Sequence, residues 1–216
     1  MKLQVTHHTR YVYTPAVETA QHMACLKPVD SICQALLSHS LRIEPTPSQQ
    51  LEQRDVFRNE QTFFSLQSPH ETLDVVSRST VQTFAPPTYP STVAWETVRE
   101  QFRYKAGSAY EPANEFVFPS PFVKRHEDFA SYARESFSPG MPLLQAAQDL
   151  MHRIYADFTY ESNSTEINTP ALEALAARKG VCQDFAHIMI ACLRSMGLSA
   201  RYVSGYLLTH PAPGKE

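Results

Sequence analysis

The stretch RKGVCQDFAH, residues 178–187, sets one cysteine after a Gly-Val pair, where one helical pattern ends and another begins. Before it, Thr169-Pro170 reads as an N-cap followed by proline at the first helical position. This opens ALEALAARK, which closes on two cations and Gly180 as a C-terminal signature. After it, Val181, Phe185, Ile188, Met189, Cys192, Leu193 and Met196 recur at helical spacing, and Ala186, Ile190 and Ala191 make most of the remaining surface apolar. A buried helix is therefore predicted from Val181 to Met196, stopped by Gly197 and followed by a strand over LSARYVSGYLL. Cys182 falls in the first turn of that helix.

Two readings of Cys182 stay open on this pattern. A helix start offers free amides and the positive end of the helix dipole, which favour a thiolate, and Arg178 and Lys179 add a weaker, solvent-screened push. The same amides suit an oxyanion, and Gly180 lets a substrate backbone approach without a Cβ in the way. Against this stands the ordinary role of cysteine as a small buried hydrophobe. Cys192, ten residues on and roughly 280° round the same helix, falls in the apolar interior and reads as packing. Cys25 and Cys33 have no helix start, glycine or cation run beside them and read as structural.

Outward from this junction, three further helices are predicted: STVAWETVREQFRYKAG, HEDFASYARESF and MPLLQAAQDLMHRIYADF. In the third, Pro142 suits the first helical position, and Leu143, Ala147, Leu150, Met151, Ile154, Tyr155 and Phe158 form one core stripe. The first 85 residues follow the two-residue period of strands instead. LQVTHHTRYVY puts Leu3, Val5, His7, Thr9, Tyr11 and Tyr13 on one face, and four later segments repeat strand-like character between turn candidates such as Arg58-Asn59. The expected organisation is an antiparallel β-rich domain over 1–85, a proline-rich linker over 86–90 and a helical domain over 91–216. The fold class is α+β.

Composition narrows the function classes. A chain of 216 residues with net charge -3 has no basic field for nucleic acid or an anionic membrane. No apolar run approaches the roughly 18 residues of a membrane span, and the start MKLQVTHHTRYVY has no apolar signal core. A cytoplasmic protein with free thiols is expected. Its 9 histidines are scattered, with neither HExxH nor a Cys/His cluster at ligand spacing, so neither metal nor other cofactor is expected.

The run GVCQDFAHIMIACLRSMGLSARYVSGYL, residues 180–207, closely resembles the active-site segment of the bacterial transglutaminase-like superfamily, whose members share a papain-like cysteine core. EFVFPSP at 115–121, IYADFTY at 154–160 and the β-rich start match supporting parts of the family. The resemblance implies a transglutaminase-like N-terminal domain followed by part of a cysteine catalytic core, with Cys182 as its nucleophile. Asp184 and His187 belong to the same motif but are not thereby the acid or the base.

A nucleophile of this class needs an imidazole to take its proton and an acid or amide to orient that imidazole. The family places both on strands after SGYLL, whereas this chain ends at Glu216 with only His187, His210, Asp184 and Glu216 downstream of Cys182. His187, five residues on along one helix, points about 140° away and lies about 7.5 Å further along. His210 sits in a proline-broken tail, and His126 and His152 read as helix-surface residues. The expectation is a fragment of a longer enzyme that cleaves or transfers peptide or side-chain amides through a Cys182 thioester, nearly inactive alone. A noncatalytic peptide-binding or assembly module is the alternative, with a peptide or protein as partner in either case.

Overall fold

The computed structural model describes residues 1–89, 92–103, 105–107, 109–162 and 169–208, so His210 and Glu216 lie outside the described residues. The chain divides into two compact units, Met1–Thr88 and Tyr89–Glu216.

The first unit holds two three-stranded antiparallel sheets. One has the order β1-β6-β3, from Lys2–Val17, His70–Thr83 and Gln34–Glu44; the other has the order β2-β5-β4, from Ala20–Ala24, Glu60–Leu66 and Gln49–Arg54. Along β1 the predicted face, from Leu3 to Thr9 and again at Tyr13, is half-buried while its alternates are exposed, as a pleat with one solvated side requires. Ile43, Phe64, Leu66, Leu73 and Val75 are contributed by both sheets to one core. Strand β4, QQLEQR, is exposed throughout and has no apolar alternation, which is why it escapes a periodicity reading. Its pairing with β5, from Gln49↔Ser65 to Arg54↔Glu60, forms it nonetheless. The turn between them is built by the Asp55 carboxylate, which accepts from the amides of Phe57 (2.9 Å) and Asn59 (2.8 Å) while Arg58 takes a φ of 67°.

The second unit is helical: α1 Trp95–Gln101, α2 Glu127–Arg134, α3 Leu143–Asp157, α4 Ala171–Ala177 and α5 Cys182–Ser195. A 3-10 turn spans Pro112–Val117, and two short parallel strands, β7 Thr159–Tyr160 and β8 Lys179–Gly180, precede α4 and α5 respectively. The core gathers Trp95, Phe129, Ala133, Phe137, Leu150, Ile154, Ile188 and Cys192. The observed stripe of α3 is narrower than its periodicity predicts. Ala146, Leu150, Ile154 and Phe158, spaced by four, are buried, whereas Met151 and Tyr155 are 47% and 87% exposed. Pro142 adopts ψ 133° and caps α3 from outside rather than occupying its first turn.

The strand predicted over 198–208 does not form. Extended backbone needs a ladder partner, and among the described residues none pairs with this segment. Its start is instead tied to the 3-10 turn, with the Ala200 amide donating to the Phe116 carbonyl at 3.1 Å and Ser199 Oγ to the Ala113 carbonyl at 2.7 Å. Among the described residues no helix is long and apolar enough to cross a membrane, and no group of three or more metal-ligating side chains is placed to hold an ion.

Cys192 is fully buried in α5, and burial pushes its thiol from 9.0 up to about 12. Below pH 9 folded and unfolded chains both carry the proton. Between pH 9 and about 12 the unfolded chain loses it first, so stability falls as pH rises through that window. The expected slope from this group is at most about 1.4 kcal/mol per pH unit. Urea titrations of the wild type and Cys192→Ala over pH 8 to 11 check it, the variant being the less pH-sensitive of the two.

Candidate functional site

Cys182 is placed by an elbow of five residues. Helix α4 ends when the Arg178 amide donates to the Ala174 carbonyl at 3.0 Å and Arg178 itself turns left-handed, φ 56° and ψ 32°. Lys179 and Gly180 then run parallel to Thr159 and Tyr160, held by the Thr159 amide on the Arg178 carbonyl (2.9 Å) and the Glu161 amide on the Gly180 carbonyl (3.0 Å). Val181 is extended and serves as N-cap, and Cys182 is the first helical residue, a free and exposed thiol. The C-cap predicted at Gly180 therefore falls on Arg178.

Gly180 has a different task. A Cβ built on it would lie 2.6 Å from Asp184 Oδ2, 2.9 Å from Asp184 Cβ and 3.0 Å from Cγ, closer than real Cβ contacts come. The space that a side chain at 180 would fill is taken by the Asp184 carboxylate, not held open for a substrate. From there Asp184, only 3% exposed, accepts from the Val181 amide at 2.8 Å. This is the return arm of a capping box without the outgoing arm, because valine has no side-chain acceptor. An acid at the third helical position also complements the helix dipole. Asp184 belongs to the quoted motif, but its capping role is visible only in its three-residue offset from Val181.

Behind the elbow lies an aromatic anchor. The guanidinium of Arg178 sits 4.5 Å from the ring centre of Tyr132 on α2 and 4.9 Å from that of Phe158, at the end of α3. Arg153 lies 4.5 Å from the same Tyr132 ring and donates to the Tyr132 carbonyl at 2.8 Å. The Tyr132 hydroxyl donates to Asp157 at 2.8 Å; burial first, then this bond and the Asp157 charge, hold the phenol well above its usual ionisation range. Tyr132 is thus a fixed neutral donor. A left-handed non-glycine residue costs about 1–2 kcal/mol, and each guanidinium–ring contact stabilises by about 0.5–1 kcal/mol or more when desolvated. The two effects nearly offset at Arg178. The electrostatic push expected from this cation pair is otherwise engaged: Arg178 with the rings, Lys179 with Glu161 at 3.3 Å.

The histidines sit elsewhere. His187 is half-buried between Phe122, stacked at 5.8 Å, and Tyr202 at 5.3 Å; burial lowers its pKa, opposed by the charge of Asp184. With Gln183, Ile190 and Arg194 it lines a cavity of about 490 Å³ along one face of α5, and Cys182 is not part of that lining. Buried Arg194 is satisfied by the carbonyls of Ala200 and Phe118 and by Ser120 Oγ, stapling the end of α5 to both segments. His126 caps α2 through Nδ1, and His152 is exposed on α3.

Comparisons with known proteins follow this layout. The bacterial transglutaminase-like N-terminal region matches residues 3–82 and the transglutaminase-like superfamily matches residues 130–214. Uncharacterized proteins of Mycobacterium bovis and Mycobacterium tuberculosis are each 40% identical over 220 residues, covering 100% of this chain and 68% of their own length. One from Mycobacterium leprae is 28% identical over 214 residues, covering 97% of this chain and 72% of its own. A crystal structure described as a "Putative Cysteine Protease" from Cytophaga hutchinsonii superposes with a TM-score of 0.67 over 92% of this chain and 67% of its own; at 18% identity, the likeness is one of fold.

The elbow makes a sharp prediction for stability. Gly180→Ala forces the pinned Asp184 side chain to move and should destabilise by about 1–3 kcal/mol. Asp184→Ala leaves the Val181 amide without its acceptor and should cost about 1–2 kcal/mol. Because both act on one contact, a double-mutant cycle in urea should show the pair costing less than the sum of the singles.

Proposed function

Because the chain belongs to the transglutaminase-like superfamily, we propose that it carries the nucleophile of a cysteine enzyme acting on peptide or side-chain amides, with Cys182 as that nucleophile. The observation that carries the reading is the placement of Cys182: an exposed thiol on the first residue of α5, whose own amide has no acceptor one turn back within the helix. Sγ attacks the amide carbonyl carbon, and negative charge develops on the carbonyl oxygen beside the helix mouth. The C–N bond breaks, the amine leaves with a proton delivered by an imidazole, and a thioester remains. Water then adds to the thioester, releasing the acid and restoring the thiol.

The imidazole in this scheme comes from outside the described residues. His187 is held in its aromatic clamp, His126 caps its own helix and His152 faces solvent on α3. The relatives are longer than this chain, which covers 68% to 72% of the mycobacterial proteins, and the base is proposed to lie in such additional sequence. Hydrolysis is favoured over transamidation because no second site for an amine is evident beside Cys182 among the described residues, and residues 1–216 alone are expected to turn over slowly.

In the full-length protein, Cys182→Ala should abolish hydrolysis of a peptide-amide library, while Cys25→Ala and Cys33→Ala leave it unchanged; mass spectrometry of the products measures both. Turnover that survives Cys182→Ala would overturn the assignment of Cys182, and peptide binding without turnover in the full-length wild type would favour a noncatalytic binding module.

A further inference from the structure

We infer that Arg178 is a positioning residue for Cys182, its guanidinium clamp setting where the thiol is presented; this rests on the reading of Cys182 as the reactive group. Arg178 occupies a left-handed backbone position, φ 56°, where glycine is the usual residue and arginine is strained. A side chain kept at such a position needs a compensating contact, and here that contact leads to the cysteine by two routes.

The first route is the backbone. The Arg178 carbonyl accepts from the Thr159 amide at 2.9 Å, fixing the start of the two-residue strand that delivers the chain to Val181 and Cys182, four residues later. The second route runs through rings. The guanidinium lies 4.9 Å from the ring centre of Phe158, and Phe158 meets Phe185 edge-on at 5.6 Å. Phe185 stands in the same opening turn of α5 as Cys182 and donates its amide to Val181 at 3.2 Å. Tyr132, the other ring under Arg178, is itself held by Arg153 and Asp157, so the clamp closes on a fixed surface.

A residue that merely stabilised α4 would move stability and cysteine reactivity together. A positioning residue allows them to separate, because glycine removes the clamp and the backbone strain at once. Alkylation of Cys182 by iodoacetamide reads the placement directly and needs no substrate. Cys25, exposed in the other unit, supplies an internal reference in the same protein.

The experiment measures second-order alkylation rates of both cysteines by mass spectrometry in the full-length wild type, Arg178→Gly, Arg178→Ala and Arg178→Lys, with melting temperatures alongside. In the wild type Cys182 is expected to react faster than Cys25. Arg178→Gly should melt near the wild type yet slow Cys182 by about tenfold, the scale of losing two guanidinium–ring contacts, with Cys25 unchanged. Arg178→Ala, strained and unclamped, should lose both melting temperature and rate. Arg178→Lys, charged but without the planar group, should recover only part of the rate. Equal rates for Cys182 in the wild type and Arg178→Gly would overturn the inference. So would a wild-type Cys182 no faster than Cys25, or rate losses that track melting temperature across all three variants, an unfolded glycine variant included. Retention of amide turnover in Cys182→Ala would remove Cys182 as the nucleophile and leave these alkylation rates interpretable, so the two failures are distinct.

Discussion

A carboxylate reaches the Val181 amide because residue 180 has no side chain. That one exclusion, an Asp184 oxygen standing 2.6 Å from where a Cβ would be, orders the elbow around it. Residues 182 and 184 are two apart on a helix, roughly 200° round its axis. Turning Asp184 inward to 3% exposure therefore turns Cys182 outward to solvent. The buried cap and the exposed thiol are two consequences of one helical phase, and the glycine sets that phase by permitting the inward acid.

The elbow has to hold against the pull of four segments that meet there. Helix α4 arrives from one side, α5 departs on another, and β7 and β8 are joined through only two residue pairs. So short a pairing is weak by itself. Its rigidity comes from below, where Arg178 rests on Tyr132 and Phe158 and Phe158 touches Phe185. Helices α2 and α3 thus act on the site without contributing a reacting group. At its far end α5 is secured by Arg194, buried in the last turn among carbonyls of residues 118 and 200, so the helix is held at both ends while one face is buried against the core.

What was legible in the sequence follows from which interactions are local. The period-two pattern of β1 and the helical patterns of α2, α3 and α5 record burial of a repeating face, and those elements formed. Strand β4 has no buried face and exists through pairing with β5, which leaves no mark on its own six residues. The opposite error occurred at 198–208, where the composition of a strand met no ladder among the described residues and the chain was anchored to the 3-10 turn instead. At the site, the position of Cys182 at a helix start was readable from the pattern around Gly180. The reason for Gly180 was not, because it depends on where the Asp184 side chain folds. Arg178 was read as a solvent-screened cation and is exposed, but the two rings that its guanidinium meets belong to α2 and the end of α3, away in sequence.

The two cysteines of α5 show why placement outweighs residue type here. Cys192 belongs to the buried cluster that holds Ile188, Leu150 and Ile154, and burial raises its thiol to about 12 against the opposing charges of Arg153 and Arg178. Cys182 shares its helix, but stands where the backbone has not yet begun to satisfy itself. His187 occupies the same helix between these extremes, and two rings hold it flat rather than presenting it to either sulfur. A helix therefore offers a cysteine two different environments within ten residues. Which one is realised depends on whether the sulfur lies at the mouth or in the packed middle, and in this chain the glycine and the acid that follow α4 put Cys182 at the mouth.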